Sequence, residues 1–251
     1  VKSEAPWKEE PKGSLGDHLE ALRRTLIRTL IIIGCCLFLS LIFHKELFSL
    51  LKNSLGEGRE LVILSPTEGL ASLLKFSFWL SLSASSPFWL YSLAAFISPG
   101  LRSHEKRLLL PFIALSLALF ALGALFAAVI TLPLSNSALY SFNSSFGTNL
   151  WSLSQYLDYS ILLILGHGLA FEAWLILGFT VHYGLISAAT LVKKRGIVVV
   201  ITLLAAALLT PPDILTQLLL AAPLLLLYEL SILYGKWRES VSSKHNELKK
   251  V

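Results

Sequence analysis

The stretch SPGLRSHEKR, Ser98 to Arg107, is the most basic short connection between two apolar runs, and it contains a carboxylate, Glu105. A carboxylate at a membrane surface can hold a guanidinium through two parallel hydrogen bonds, the geometry arginine favours. Asp17 and Glu20 form a second acidic cluster just before the first apolar run. Together these groups could grip a doubly basic peptide. The plainer reading is that Glu105 pairs with Arg102 or Lys106 in its own loop, where an exposed pair contributes little.

Glu172 poses a different problem. It lies in GHGLAFEAWLILG, near the middle of an apolar run. Inserting a carboxylate at that depth costs about 2.5–3.5 kcal/mol on the translocon scale for Asp, so the group must face protein or water. Two readings stay open: a protonated glutamate in a helix contact, or a polar spot in a water-lined cavity. Gly168, one turn earlier on the same face, is expected to leave room for a polar partner. Glu229 lies near a helix end and can reach water. His167 reads as a helix-contact residue that bonds a neighbouring helix.

Catalytic patterns are missing. There is no GxxxxGK[ST] phosphate loop, no HExxH, no GxSxG and no cysteine–histidine cluster. Nothing in the spacing pairs His167 or His182 with a serine as an intramembrane protease would require. Cys35 and Cys36 are adjacent inside the first apolar run, so they read as small buried hydrophobes. No metal, cofactor or catalytic residue is expected.

The elements that must position these groups follow from hydropathy. The chain has 55% hydrophobic and only 15% charged residues, with a mean hydropathy of +0.69. Soluble domains hold charge nearer ~25%. Apolar runs that read as spans lie at Thr25–Phe43, Gly69–Ile97, Leu108–Leu132, Tyr159–Ile186, Ile197–Leu209 and Ile214–Tyr234. In hydrocarbon these must be helices, because each satisfies its own backbone. The expectation is an all-α integral membrane protein with six spans. Residues 1–14 read as a polar tail with no removable leader, 15–235 as one membrane domain and 236–251 as a second tail.

Charge sets the direction. Seventeen of the 21 basic residues fall before or in the first turn of the first span, between spans two and three, between four and five, or in the final tail. The connection from Pro133 to Asp158 has none. The positive-inside rule then places both termini in the cytoplasm. Span two, at about 29 residues or ~43 Å, exceeds a ~30 Å hydrocarbon layer and is expected to bend at Pro87. Span five, at about 13 residues or ~20 Å, is too short to cross. TPPD, Thr210 to Asp213, joins it to span six, with Asp213 placed as a helix cap. No internal repeat is visible, which weighs against transporter folds built from inverted halves.

Several ordered motifs resemble the TatC family, the polytopic subunit of the twin-arginine protein translocase. They are DHLEALRRTL before span one, SPTEGL with Lys75 at span two, and SPFWLYSLAAFISPGLRSHEKR. Further on come GLAFE in span four and TPPDILTQLLLAAPLLLLYE in the last hairpin. The resemblance covers Leu15 to Trp237. It implies a receptor, not an enzyme, in the cytoplasmic (inner) membrane, which binds twin-arginine signal peptides of folded cargo. On the matching positions Glu105 would pair with signal arginines, while Glu20, Arg23, Phe96, Pro99 and Leu101 would shape the site. Ala21 stands where the family has a second recognition glutamate, and Glu20 is displaced from it by about 100° of helix. Thr25 replaces a common basic residue, Trp174 a common proline and His167 a common phenylalanine.

The resemblance further implies that Glu172 faces a concave, water-accessible wall. Single-span TatA- and TatB-like partners would dock at the final hairpin, and the chain would self-associate in a larger complex driven by the proton gradient. Ser65, Pro66 and Glu68, and in the hairpin Asp213, Gln217, Pro223, Tyr228 and Glu229, would serve structure or partner contacts. No nucleic-acid role follows. Two other classes stand beside it: a secondary transporter of a small cationic solute with Glu172 at its midplane, and a purely structural assembly protein.

Overall fold

The computed structural model describes residues 15–56, 58–97, 103–210 and 213–248, and nearly all of them are helical. The helices are α1 (Leu15–Ile42), α2 (His44–Asn53), α3 (Glu68–Ala84), α4 (Ser86–Ile97), α5 (Ser103–Phe126), α6 (Leu132–Ser144), α7 (Leu153–His182), α8 (Ala188–Leu209) and α9 (Ile214–Leu248). Two short strands, β1 (Leu61–Val62) and β2 (Trp151–Ser152), pair in parallel with Leu61 opposite Trp151. They tie two connecting loops together and mark what is here termed the strand end of the bundle.

Among the described residues four helices are long and apolar enough to cross a membrane: Leu19–Ile42, Leu109–Ser144, Leu153–His182 and Ile214–Val241. The expected long second span is two helices. It breaks at Ser85, two residues before Pro87, as the proline leads one to expect. Pro87 has no N–H for the Ser83 carbonyl one turn back, and the Ser86 hydroxyl donates to that oxygen instead at 2.6 Å. Trp89 Nε1 likewise donates to the Leu82 carbonyl at 3.2 Å. The break is thus hydrogen-bonded, not frayed.

The third span runs on well past Leu132. Between α5 and α6 lies a π-helical turn, Ala127–Thr131, immediately before Pro133. A proline in a helix loses one backbone bond and crowds the carbonyl four residues back, and a π turn absorbs both effects. This turn points Thr131 at α7, where its hydroxyl lies 3.1 Å from His167 Nε2. His167 Nδ1 is 2.8 Å from the Leu163 carbonyl, so both ring nitrogens of a fully buried imidazole are engaged. The helix-contact reading of His167 stands.

α7 is the axis of the fold, packed against α3, α5, α8 and α9. Its small residues permit close approach. A Cβ on Gly123 of α5 would lie 2.5 Å from the His167 carbonyl oxygen, so only glycine fits there. At the strand end Leu55, Leu132, Tyr156, Leu157 and Leu163 form one core cluster. Val181, Leu191, Tyr228 and Ile232 form another at the opposite end.

Three expectations need correction. The Lys193–Lys194–Arg195 triplet belongs to a helix and not to a loop, because α8 begins at Ala188, capped by Ser187. The long aliphatic stems of such residues let a helix continue while the charges stay wet, so α8, expected as a span of about 13 residues, is a helix of 22. α9 has 35 residues and continues unbroken past Tyr234 to Leu248. The adjacent cysteines are not buried: Cys35 is exposed and Cys36 only partly covered, because α1 buries little of its surface in the bundle.

The α8–α9 hairpin nonetheless stops short. Its turn reaches only the level of Gly166, whose Cα lies against the Leu209 carbonyl. That is about 20 Å along α7 from its first residue. Asp213 caps α9 as expected: its carboxylate accepts from Thr216 N at 2.7 Å and from the Thr216 hydroxyl at 2.5 Å.

Candidate functional site

The bundle topology collects several sequence-selected groups at the end opposite the strands. α1 begins there, α4 ends there after packing along α1, and α5 starts there. Glu20 and Arg23 lie exposed on the first turns of α1, and Phe96 is half-buried at the end of α4. Glu20 is already paired: its Oε1 lies 2.5 Å from Arg24 Nη2, one turn along the same helix. Both side chains are mostly exposed, so the pair contributes little. Glu105 is the third residue of α5, but its side chain, like Pro99 and Leu101, lies outside the described residues.

Glu172 sits apart from this surface, in a cavity of about 280 Å³ between the α3–α4 break, α5 and α7. Trp79, Trp89 and Phe120 wall it, and Ser83, Ser86 and Ser116 add hydroxyls. Ser116 of α5 donates to Glu172 Oε1 at 2.9 Å. The carboxylate is only half-buried and has no cation partner among the described residues. It lines a mostly apolar hollow and at the same time bonds the neighbouring helix through Ser116, so the helix-contact and polar-spot readings each meet a feature here. The expected role of Gly168 is wrong. A Cβ there would meet the Phe120 ring at 2.7 Å, so the space admits an aromatic wall and not a polar partner.

At the strand end Glu68 is an organising group. It is 8% exposed and accepts from Leu64 N at 2.5 Å, Ser65 N at 3.2 Å, Ser154 N at 2.9 Å and Ser152 Oγ at 3.0 Å. The backbone donors, Ser154 and Leu64 foremost, hold its carboxyl below the ordinary glutamate range. Ser65 thus contributes a backbone donor, while Pro66 is exposed in the turn before α3. Lys75 and Asp158 join α3 to α7 at 2.6 Å, a pair that sequence reasoning missed because its members lie 83 positions apart.

In the hairpin, Gln217 Nε2 donates to the Leu203 carbonyl at 2.8 Å and the Tyr228 hydroxyl to the Leu191 carbonyl at 2.7 Å. Glu229 pairs with Arg195 at 2.6 Å. Pro223 lies inside α9. Gln217, Tyr228 and Glu229 thus stitch α9 to α8. Among the described residues no three His, Cys, Asp or Glu side chains converge to hold a metal.

Fold and site together define an all-helical, multi-pass membrane protein with an intramembrane carboxylate in a groove beside a proline-broken helix. Comparison with known proteins gives the family. The profile described as Sec-independent protein translocase protein (TatC) matches residues 17–223. A TatC from Desulforapulum autotrophicum is 34% identical over 93% of this chain and 89% of its own length. One from Aquifex aeolicus is 37% identical over 88% of this chain and 94% of its own. A crystal structure described as the twin arginine translocase receptor TatC in DDM superimposes with a TM-score of 0.71 at 38% identity. It covers 87% of this chain and 99% of that one. The chain belongs to the TatC family of Sec-independent protein translocase proteins.

Proposed function

We propose that this chain is the receptor subunit of a twin-arginine translocase, recognising paired arginines on the signal peptides of folded cargo. The observation that carries the reading is its likeness, over almost their full length, to solved structures described as that receptor. Topology adds support: the start of α1, the end of α4 and the start of α5 meet at one end of the bundle, the end the basic residues assign to the cytoplasm. There Glu105 takes a guanidinium in bidentate fashion, with Glu20, Arg23, Phe96, Pro99 and Leu101 around it. The α3–α4 pair and α8 supply the fifth and sixth crossings, both termini lie in the cytoplasm, and the membrane is the bacterial inner membrane. The α8–α9 hairpin, short at the strand end, receives single-span TatA- and TatB-like partners. The transporter alternative gains nothing from the family to which the chain belongs.

The test is photocrosslinking from position 105 to signal peptides that carry RR or KK, with binding measured in parallel. Glu105→Gln should weaken RR binding about tenfold, the factor that one charge-assisted hydrogen bond commands. Glu229→Gln, whose carboxylate is occupied by Arg195, should change it far less. Equal labelling by both peptides, or equal binding by wild type and Glu105→Gln, would remove the recognition role.

A further inference from the structure

α1 leaves its apolar stretch at Ile42, and α2 begins at His44, so His44 and Lys45 stand at a membrane boundary whichever way the chain is oriented. α3 and α7 both begin at this same end. Between them is a cavity of about 270 Å³, lined by His44, Lys45, Phe48, Ser72, Phe76 and Leu157 among others. Its walls are apolar, with Phe48 and Phe76 edge to face at 6.5 Å.

Three polar groups at this cavity are unspent. Lys45 is exposed and has no hydrogen-bond or ion-pair partner among the described residues. His44 uses Nδ1 on the Leu41 carbonyl at 2.8 Å, which leaves Nε2 unengaged. Ser72 is 2% exposed and its hydroxyl has no partner. Elsewhere on this helix Ser81 and Ser83 return their hydroxyls to carbonyls of their own helix. Ser77 also keeps a free hydroxyl, but it lies in the close α1–α3 contact where Ser40 donates to its carbonyl. Ser72 instead lines open space. A buried hydroxyl without a partner is costly, so a ligand that satisfies it gains affinity.

A cation at the boundary, a buried hydroxyl and an aromatic wall together fit an amphiphile whose anionic group lies at the water and whose chain runs into hydrocarbon. We propose that this cavity binds a membrane phospholipid through its phosphate, with Lys45 and His44 at the phosphate and Ser72 bonding an oxygen nearer the chains. The volume is below the ~300 Å³ at which pockets for whole small molecules begin. It admits a headgroup and the root of a chain, while the remaining tail lies along the lipid-facing side of Phe48 and Phe76.

The assignment separates cleanly from receptor function, because none of these residues belongs to the end of the bundle proposed to bind signal peptides. The test is native mass spectrometry of the full-length protein released from nanodiscs of phosphatidylglycerol mixed with phosphatidylcholine. Lys45→Gln should lower retained phosphatidylglycerol about tenfold, the share of one charge-assisted contact, and Ser72→Ala should lower it by a smaller factor. Lys52→Gln, the other cation of α2 and no part of the cavity lining, should leave it unchanged. Both lysine variants are exposed and keep the fold, which thermal unfolding would verify. Equal retention by wild type and Lys45→Gln overturns the proposal, as does an equal drop in Lys45→Gln and Lys52→Gln, which would show surface charge alone. Displacement of the lipid by inorganic phosphate at equal concentration would make a free anion the occupant and overturn the lipid assignment.

Discussion

At the scale of the residue, two buried polar side chains, Glu68 and His167, show how the chain uses polarity inside the bundle. Glu68 joins the two loops that the two-residue strand pair also ties, since it accepts from Leu64 and Ser65 on one side and Ser152 and Ser154 on the other. Those bonds favour the charged form and lower its pKa. The sign then follows by linkage. A carboxyl with a folded pKa below its unfolded value of about 4.3 contributes stability above that value and loses it as pH falls through the folded one. Thermal unfolding in detergent from pH 7 to pH 3 should therefore show an acid limb in the wild type. Glu68→Gln should melt lower at pH 7 and show a weaker acid limb. Parallel pH profiles for the two proteins would mean that other carboxylates govern acid stability. His167 shows the same economy without charge, held between the Thr131 hydroxyl and the Leu163 carbonyl.

At the scale of the element, helix breaks and glycines set the packing. The α3–α4 break was legible in sequence because Pro87 falls within a run too long for one straight span, and the Asp213 cap was legible because TPPD is a local signal. The π turn before Pro133 was not: a proline announces disruption but does not say whether the helix ends or absorbs it, and here contact with α7 decides. The start of α8 was misplaced for a related reason. Hydropathy marks where charge appears, whereas a helix ends where its caps lie, and Ser187 caps eight residues before Arg195. Gly168 and Gly123 show the limit for packing. Sequence marks small residues, but only the neighbouring helix reveals that Phe120 fills one gap and the His167 carbonyl the other. Gly123→Ala is thus a direct probe of the α5–α7 contact. With backbone and not a flexible side chain in the way, it should cost about 1–3 kcal/mol or more, read as a fall in unfolding midpoint. Ala at Gly147, which has nothing within 4 Å, is the control and should be nearly neutral.

At the scale of the whole molecule, the bundle is fastened at both ends and open between them. Glu68, the Lys75–Asp158 pair and the Asn136–Ser54 bond at 2.8 Å close the strand end. The other end is closed by the last turns of α9, which reach back over the α7–α8 turn. Arg238 Nη1 donates to the Val181 carbonyl at 2.8 Å, and Glu239 Oε1 accepts from Ala188 N at 2.8 Å. One side chain thus serves the C-terminal end of α7 and its neighbour the N-terminal end of α8, each with the charge that end of a helix favours. Gly235 lets α9 pass close to both, since a Cβ there would meet Ala188 and Val181 at 3.2 Å. The extension of α9 beyond Tyr234 is then a clamp on the turn and not a free tail. Removing residues 236–251 should raise amide exchange at Ala188 and its neighbours while leaving the α7 amides near Tyr156 unchanged. Glu239→Ala should reproduce the Ala188 effect, at a cost of about 1 kcal/mol for one net hydrogen bond. Glu239→Gln keeps an acceptor and should restore most of the protection. Unchanged exchange at Ala188 in the truncated protein would show that the turn holds itself, and the reading of α9 as a clamp would fall with it.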